Sequence, residues 1–241
     1  MTDGAPPEKP ILITPEMLAG RGAQSRGRID FERGMRHAPP LILCLIAVNV
    51  AMFAWEIAAG ALADRDTIIE AGALVRDRIL VSGDAPLPDR VATGEWWRII
   101  SAMFLHGGVD HLLGNIIVLY IVGLACEHAF GGARTALVYF ASGIAGGLLS
   151  MAAGPGPSVG ASGAIFGVIA AVVVVLYRYQ DRFYVRDKRI GFVLLVWAGW
   201  QILTGLASPF IDNFAHLGGL AGGALATLTL RPRLLSAGPT A

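Results

Sequence analysis

Apolar residues fall into six runs along the chain, at about 41–62, 111–126, 135–153, 159–176, 190–207 and 214–230. A bilayer core about 30 Å thick is crossed by about 20 mostly apolar helical residues, so this pattern predicts six transmembrane helices. The intervening segments are polar. Residues 1–40 carry six Lys/Arg and five Asp/Glu without an apolar run, and they read as a disordered or loosely docked tail without a signal peptide's apolar stretch. The connection 63–110 holds five Arg and eight Asp/Glu, too polar to cross lipid and too long for a simple turn. The expected organisation is a tail (1–40), an all-α, six-helix membrane domain (41–231) with a long loop between helices 1 and 2, and a short carboxyl-terminal tail (232–241).

Composition agrees with that pattern. Apolar residues make up 54% of the 241 and charged residues 15%, against roughly 45–50% and 25% in soluble domains. The mean hydropathy is +0.59. A typical soluble enzyme is excluded. The net charge of +1 provides no field for nucleic acid. Cys44 and Cys126 stand apart, with no Cys/His cluster beside them, so they indicate neither a disulfide framework nor a zinc site. The 31 glycines suit membrane helices that pack backbone to backbone.

Cations fix the expected orientation. Arg26, Arg28, Arg33 and Arg36 precede the first run. Arg178, Arg182, Arg186, Lys188 and Arg189 join the fourth and fifth, and Arg231 and Arg233 follow the sixth. With six spans all three clusters share one side, so both termini are expected in the cytoplasm and the 63–110 connection outside. Arginine outnumbers lysine 17 to 2, a bias associated with GC-rich bacteria, so the expected location is a bacterial inner membrane.

A strongly polar side chain inside a span is a functional candidate by default. Four stand out: His111, Asn115, Ser162 and His216. His111 and Asn115, four apart, share a helix face. With six spans, Ser162, His216 and His111 lie at similar depth near the outward ends of three helices. A serine hydroxyl becomes a nucleophile when a histidine takes its proton. Gly163 and Gly167 on one helix, and Gly219 and Gly223 on the other, allow the close approach this needs. His111, the Asn115 amide and the unpaired N–H groups at the helix start by Ser162 would supply donors for an oxyanion. Taken singly, each of these residues also reads as a packing or interhelical hydrogen-bonding group. Their coincidence at one depth on three spans is what points to chemistry.

Other chemistries fit worse. His106, Asp110 and His111 lack the HExxH spacing of a zinc protease, and no two carboxylates face each other for an aspartyl mechanism, since Asp110 and Asp212 sit at span ends. Neither a metal nor any other cofactor is expected. Glu56, inside the first span, is most simply read as a hydrogen bond to the long outward connection.

Five motifs occur in order: Trp97-Arg98, His111-xxx-Asn115, Gly123-xxx-Glu127-xxx-Gly131, Gly160-Ala161-Ser162-Gly163 and Ala215-His216-xx-Gly219-xxx-Gly223. Together they resemble the rhomboid family of intramembrane serine proteases, over about residues 97–223. The resemblance implies a six-helix bundle with an outward-opening wet cavity and a Ser/His dyad that cleaves membrane-anchored protein substrates. It makes Ser162 the nucleophile and His216 the base, with His111, Asn115 and the Ser162 N–H as the oxyanion hole. Gly160, Gly219 and Gly223 belong to the serine and histidine motifs. Trp97, Arg98 and Glu127 become structural residues, and Trp200 a bulky gate. Where many members carry tyrosine four residues after the serine, this chain has Phe166, whose ring is expected to stack on His216. No folded domain is expected ahead of the first span. The competing function is an inactive rhomboid-like protein that binds or escorts membrane clients, but such proteins usually lose the serine or the histidine. A solute transporter would show repeated halves with broken helices, and none is visible.

Overall fold

In a computed structural model the described residues are 28–35, 38–79, 94–154, 156–208 and 210–235. Among them six long helices form the body: α1 (Pro40–Ala58), α2 (Val109–Phe130), α3 (Gly132–Ala153), α4 (Ser162–Arg178), α5 (Val185–Leu206) and α6 (Asn213–Thr229). The described residues contain only two isolated β-bridges beyond helices and turns. The chain is an all-helical, multi-pass membrane bundle. By length and composition α1, α2, α3 and α5 can each cross a bilayer. Both α4 and α6 have 17 residues, about 26 Å at 1.5 Å per residue.

Helix α4 is the centre. Twelve of its 17 residues are buried, and α2, α3, α5 and α6 all pack on it. By contrast α1 buries one stripe, Ile42, Leu45, Asn49, Phe53 and Glu56, spaced three or four apart as a helix facing one neighbour requires. Helix α5 buries only Asp187, Gly191, Ala198 and Gly205. Its Phe192, Val196, Trp200 and Leu203 are exposed, as lipid-facing residues are.

Glycine sets the closest approaches. A Cβ placed on Gly219 would collide with the Gly163 carbonyl, and one on Gly223 with the Gly167 backbone. A Cβ on Gly146 of α3 would meet the Ala215 carbonyl at 2.6 Å, and one on Gly218 the Ala145 carbonyl at 2.6 Å. Helix α6 is therefore wedged backbone to backbone between α3 and α4; the glycine spacing in the sequence anticipates the α4 side alone.

Glu127 ties α2 to α1. Its carboxylate accepts the N–H groups of Leu41 at 3.2 Å and Ile42 at 3.1 Å, the free donors of α1's first turn, with Pro40 at the position where no N–H is needed. A negative charge at a helix start is favourable.

The long connection folds. Asp64 and Thr67 cap the short helix Arg65–Ala71 reciprocally. Arg98 is 2% exposed. It pairs with Glu95, donates to the carbonyls of Ile69 and, at 3.1 Å, Ala73, and lies over the Trp97 ring. Leu74, Ile79, Ile99, Ala102 and Met151 make a small second core. Residues 80–93 lie outside the described residues.

Part of the amino-terminal stretch, expected as a disordered or loosely docked tail, docks on the bundle. Ile29 donates its N–H to the Arg182 carbonyl at 2.7 Å, and Asp30 pairs with Arg186. Phe31 is fully buried, its ring edge-on to His128 and Phe183. One aromatic side chain in a polar sequence finds a slot that only the assembled bundle offers. Residues 1–27, with Arg26, and residues 36–37, with Arg36, lie outside the described residues, as do 236–241 of the carboxyl-terminal tail. Helix α5 also begins at Val185 rather than near 190, so Arg186, Lys188 and Arg189 sit in its first turns instead of in a loop.

Candidate active site

Ser162 is the first residue of α4, and His216 lies in the first turn of α6, where Asp212 caps the helix by accepting the Ala215 N–H at 2.9 Å. The Asp212 carboxylate also receives the Ser150 hydroxyl of α3. The start of α6 is thus fixed from two sides. The glycine contacts bring α4 and α6 together, and His216 Nε2 lies 3.0 Å from Ser162 Oγ. His216 Nδ1 is buried without a hydrogen-bond partner among the described residues, so no third residue completes a triad there. Phe166, one turn below Ser162, stacks flat on the imidazole with ring centroids 4.1 Å apart and planes within 5°.

The loop before Ser162 is held from the long connection. Leu74 and Ser158 exchange main-chain hydrogen bonds at 2.9 Å, and Gly160 donates its N–H to the Ala102 carbonyl at 2.8 Å. Gly160 has φ +123°, and a Cβ there would meet His111 Nε2 at 2.7 Å. Glycine is thus required for backbone conformation and for space. His111 and Asn115, on one face of α2 as the spacing predicts, line the same cavity as Ser162 and His216. Asn115 Nδ2 is buried without a partner among the described residues.

This cavity measures about 930 Å³ and is bounded by α2, α4, α5, α6, Arg65 at the start of the short helix and loop residues that include Pro157 and Phe210. Of the four polar residues singled out in the sequence, all four face it. Trp97 and Arg98, in the connection, and Glu127, at the far end of α2, are not on its wall. Glu56 accepts the His106 N–H at 2.8 Å, a hydrogen bond to the long connection. His106, fully buried, packs edge-on to the His111 ring, and burial pushes its imidazole down to about 4, so it is neutral at pH 7.

The Rhomboid domain family matches residues 93–233, more than half of the chain and every wall of this cavity except Arg65. The chain belongs to the rhomboid family. It is 38% identical over 159 residues to the rhomboid protease GluP of Bacillus subtilis (strain 168), a match covering 66% of this chain and 31% of GluP. A second protein of that organism, the putative rhomboid protease YdcA, is 40% identical over 137 residues, 56% of this chain and 67% of YdcA. The RHOMBOID-like protein 4 of Arabidopsis thaliana is 38% identical over 141 residues, 57% of this chain and 35% of that protein. The rhomboid chain therefore spans about a third of the length of GluP and of the plant protein.

Two features of this rhomboid site escape sequence reasoning. Trp200 is 62% exposed and is not on the cavity wall. Trp197, one turn earlier, is on that wall and packs against Phe166 at 5.9 Å. Both tryptophans fall within one apolar run, and only the rotation of α5 against α4 separates them. Asp212 acts as a helix cap four residues before the histidine, a signal present in the sequence as an N-cap residue at the start of an apolar run.

Proposed function

We propose that this chain is an intramembrane serine endopeptidase that cleaves transmembrane or membrane-anchored protein substrates, with Ser162 as nucleophile and His216 as general base. The 3.0 Å contact between Ser162 Oγ and His216 Nε2, inside a cavity walled by His111 and Asn115, carries the reading. His216 Nε2 takes the hydroxyl proton as Oγ attacks the scissile carbonyl carbon. The resulting oxyanion is met by His111, the Asn115 amide and the Ser162 N–H at the start of α4, where the helix leaves donors unpaired. His216 then gives the proton to the leaving amine, and water cleaves the acyl-enzyme by the reverse sequence. The relatives named as rhomboid proteases support the same chemistry.

The test is incubation of the purified protein with a single-pass membrane substrate, together with labelling by a fluorophosphonate. Cleavage and labelling at Ser162 alone are expected. A protein that neither cleaves nor labels would instead be the client-binding relative without activity. Asn115→Ala is expected to lower kcat about 10²–10³-fold, since one oxyanion donor is lost and the others remain. Unchanged turnover would remove Asn115 from the site.

Phe166 orients the base by stacking, a role that a hydrogen-bonded carboxylate has in triads. Phe166→Tyr is expected to keep most of the activity, because the ring face persists. Phe166→Ala is expected to lose much of it although no polar group is removed. Equal rates for Phe166→Ala and wild type would show that the ring does not position His216.

Six spans are proposed, with both termini cytoplasmic in a bacterial plasma membrane, the membrane domain covering 41–231. The short α4 is compatible because its neighbours enclose it, so its length need not match the bilayer. A single cysteine placed at Gln180 should react with an impermeant maleimide only from the cytoplasmic side. Reaction from outside would overturn the six-span arrangement.

A further inference from the structure

Glu56 lies in the last turn of α1 and is fully buried. Its Oε1 accepts the His106 N–H at 2.8 Å, while Oε2 is buried without a partner among the described residues. A carboxyl group in that setting is costly. What it holds is the short segment His106-Gly107, which touches His111 twice, once through a side chain and once through main chain. The His106 ring stands edge-on to the His111 ring, with centroids 5.2 Å apart and an angle of 65°. The Gly107 N–H points to His111 Nδ1 at 3.4 Å.

The second contact selects a tautomer. A neutral imidazole has one N–H, and a nitrogen that accepts a hydrogen bond cannot carry it. With Nδ1 accepting from Gly107, the proton resides on Nε2. The Nε2 edge of the ring faces Gly160 of the serine loop, as the collision of a Gly160 Cβ with that atom shows. Nε2–H is therefore the donor available on the Ser162 side of the ring.

We propose that Glu56 is a positioning residue for hydrolysis: it anchors the His106-Gly107 main chain so that Gly107 keeps the His111 proton on Nε2, ready to donate to the oxyanion. The proposal rests on the protease reading above, since it assigns Glu56 a part in the same step. Glu56 itself touches neither substrate nor the reacting atoms.

The test combines a tautomer measurement with a double-mutant cycle on the full chain in detergent. In ¹⁵N-histidine-labelled protein, with His111 assigned by its loss in His111→Ala, the wild type should show the Nε2–H tautomer at His111. Glu56→Gln should keep it, because the amide oxygen still accepts the His106 N–H. Glu56→Leu should give a mixture. On a membrane substrate, Glu56→Leu should lower kcat about 10–100-fold, the scale of a misplaced reacting group, with KM little changed. In a His111→Ala background it should cost nothing more, because it acts only through that ring. Gly107→Pro removes the N–H directly from an exposed position and should reproduce both effects. It also carries the test if Glu56→Leu does not fold. An unchanged tautomer in Glu56→Leu or Gly107→Pro, or losses that multiply in the His111→Ala background, would overturn the proposal. A wild type that shows the Nε2–H tautomer but no Ser162-dependent cleavage would sink the protease reading and, with it, any role of Glu56 in hydrolysis.

Discussion

Ser162→Ala and His216→Ala should each abolish cleavage of a membrane substrate, with rates falling on the order of 10⁴–10⁶-fold, and the double variant should be no worse than either alone. The hydroxyl and the imidazole meet at 3.0 Å, and neither is useful without the other: an unassisted hydroxyl is a weak nucleophile, and a base without its nucleophile has nothing to activate. Losses within such a unit do not add. His216 Nδ1 has no partner among the described residues, so no third group remains to rescue either loss. The bundle should stay folded, because Ser162 is half-buried with room in the cavity and the α4–α6 contact is made by glycines rather than by these side chains. Cleavage is followed by gel mobility of the substrate, and folding by thermal unfolding in the same detergent. Undiminished proteolysis by Ser162→Ala would end the serine-protease reading.

Gly219→Ala is expected to have the next largest effect, although it adds a single methyl group at a position that touches no substrate. That methyl would overlap the Gly163 carbonyl, and a backbone atom cannot rotate away as the end of a side chain can. The helices must part. Overpacking of this kind costs about 1–3 kcal/mol, which lowers the unfolding midpoint by several degrees in a domain of this size. The rate should suffer more than the stability, because Gly219 is one turn from His216 and a shift of 1 Å between reacting groups costs on the order of 10²-fold. Gly199→Ala is the internal control: nothing lies within 4 Å of a Cβ there, and alanine is the better helix former. If Gly219→Ala matched Gly199→Ala in both midpoint and rate, the close α4–α6 contact would not be what holds the two residues together.

Much of this protein is legible without coordinates. Apolar runs near 20 residues specify helices because lipid leaves main-chain N–H and C=O groups no partner except each other. The glycines at 163, 167, 219 and 223 specify which helices approach, because only residues without a side chain permit backbone contact. His111 and Asn115 share a face through the helical period alone.

What the sequence leaves open depends on rotation or on long-range contact. Trp197 and Trp200 differ by one turn, and only the seating of α5 decides that Trp197 faces the cavity. Phe31 gains its slot from two separate segments, at His128 and at Phe183, and Glu56 meets His106 fifty residues away. Arg98 finds carbonyls at 69 and 73 because the connection folds back on itself. Local pattern fixed the helices and their small-residue faces, since those follow from periods of a few residues and from the solvent. Tertiary structure decided the 3.0 Å between Ser162 and His216 and the contact of Gly107 with His111, since both depend on how separate helices and loops are held against one another, which no local period encodes.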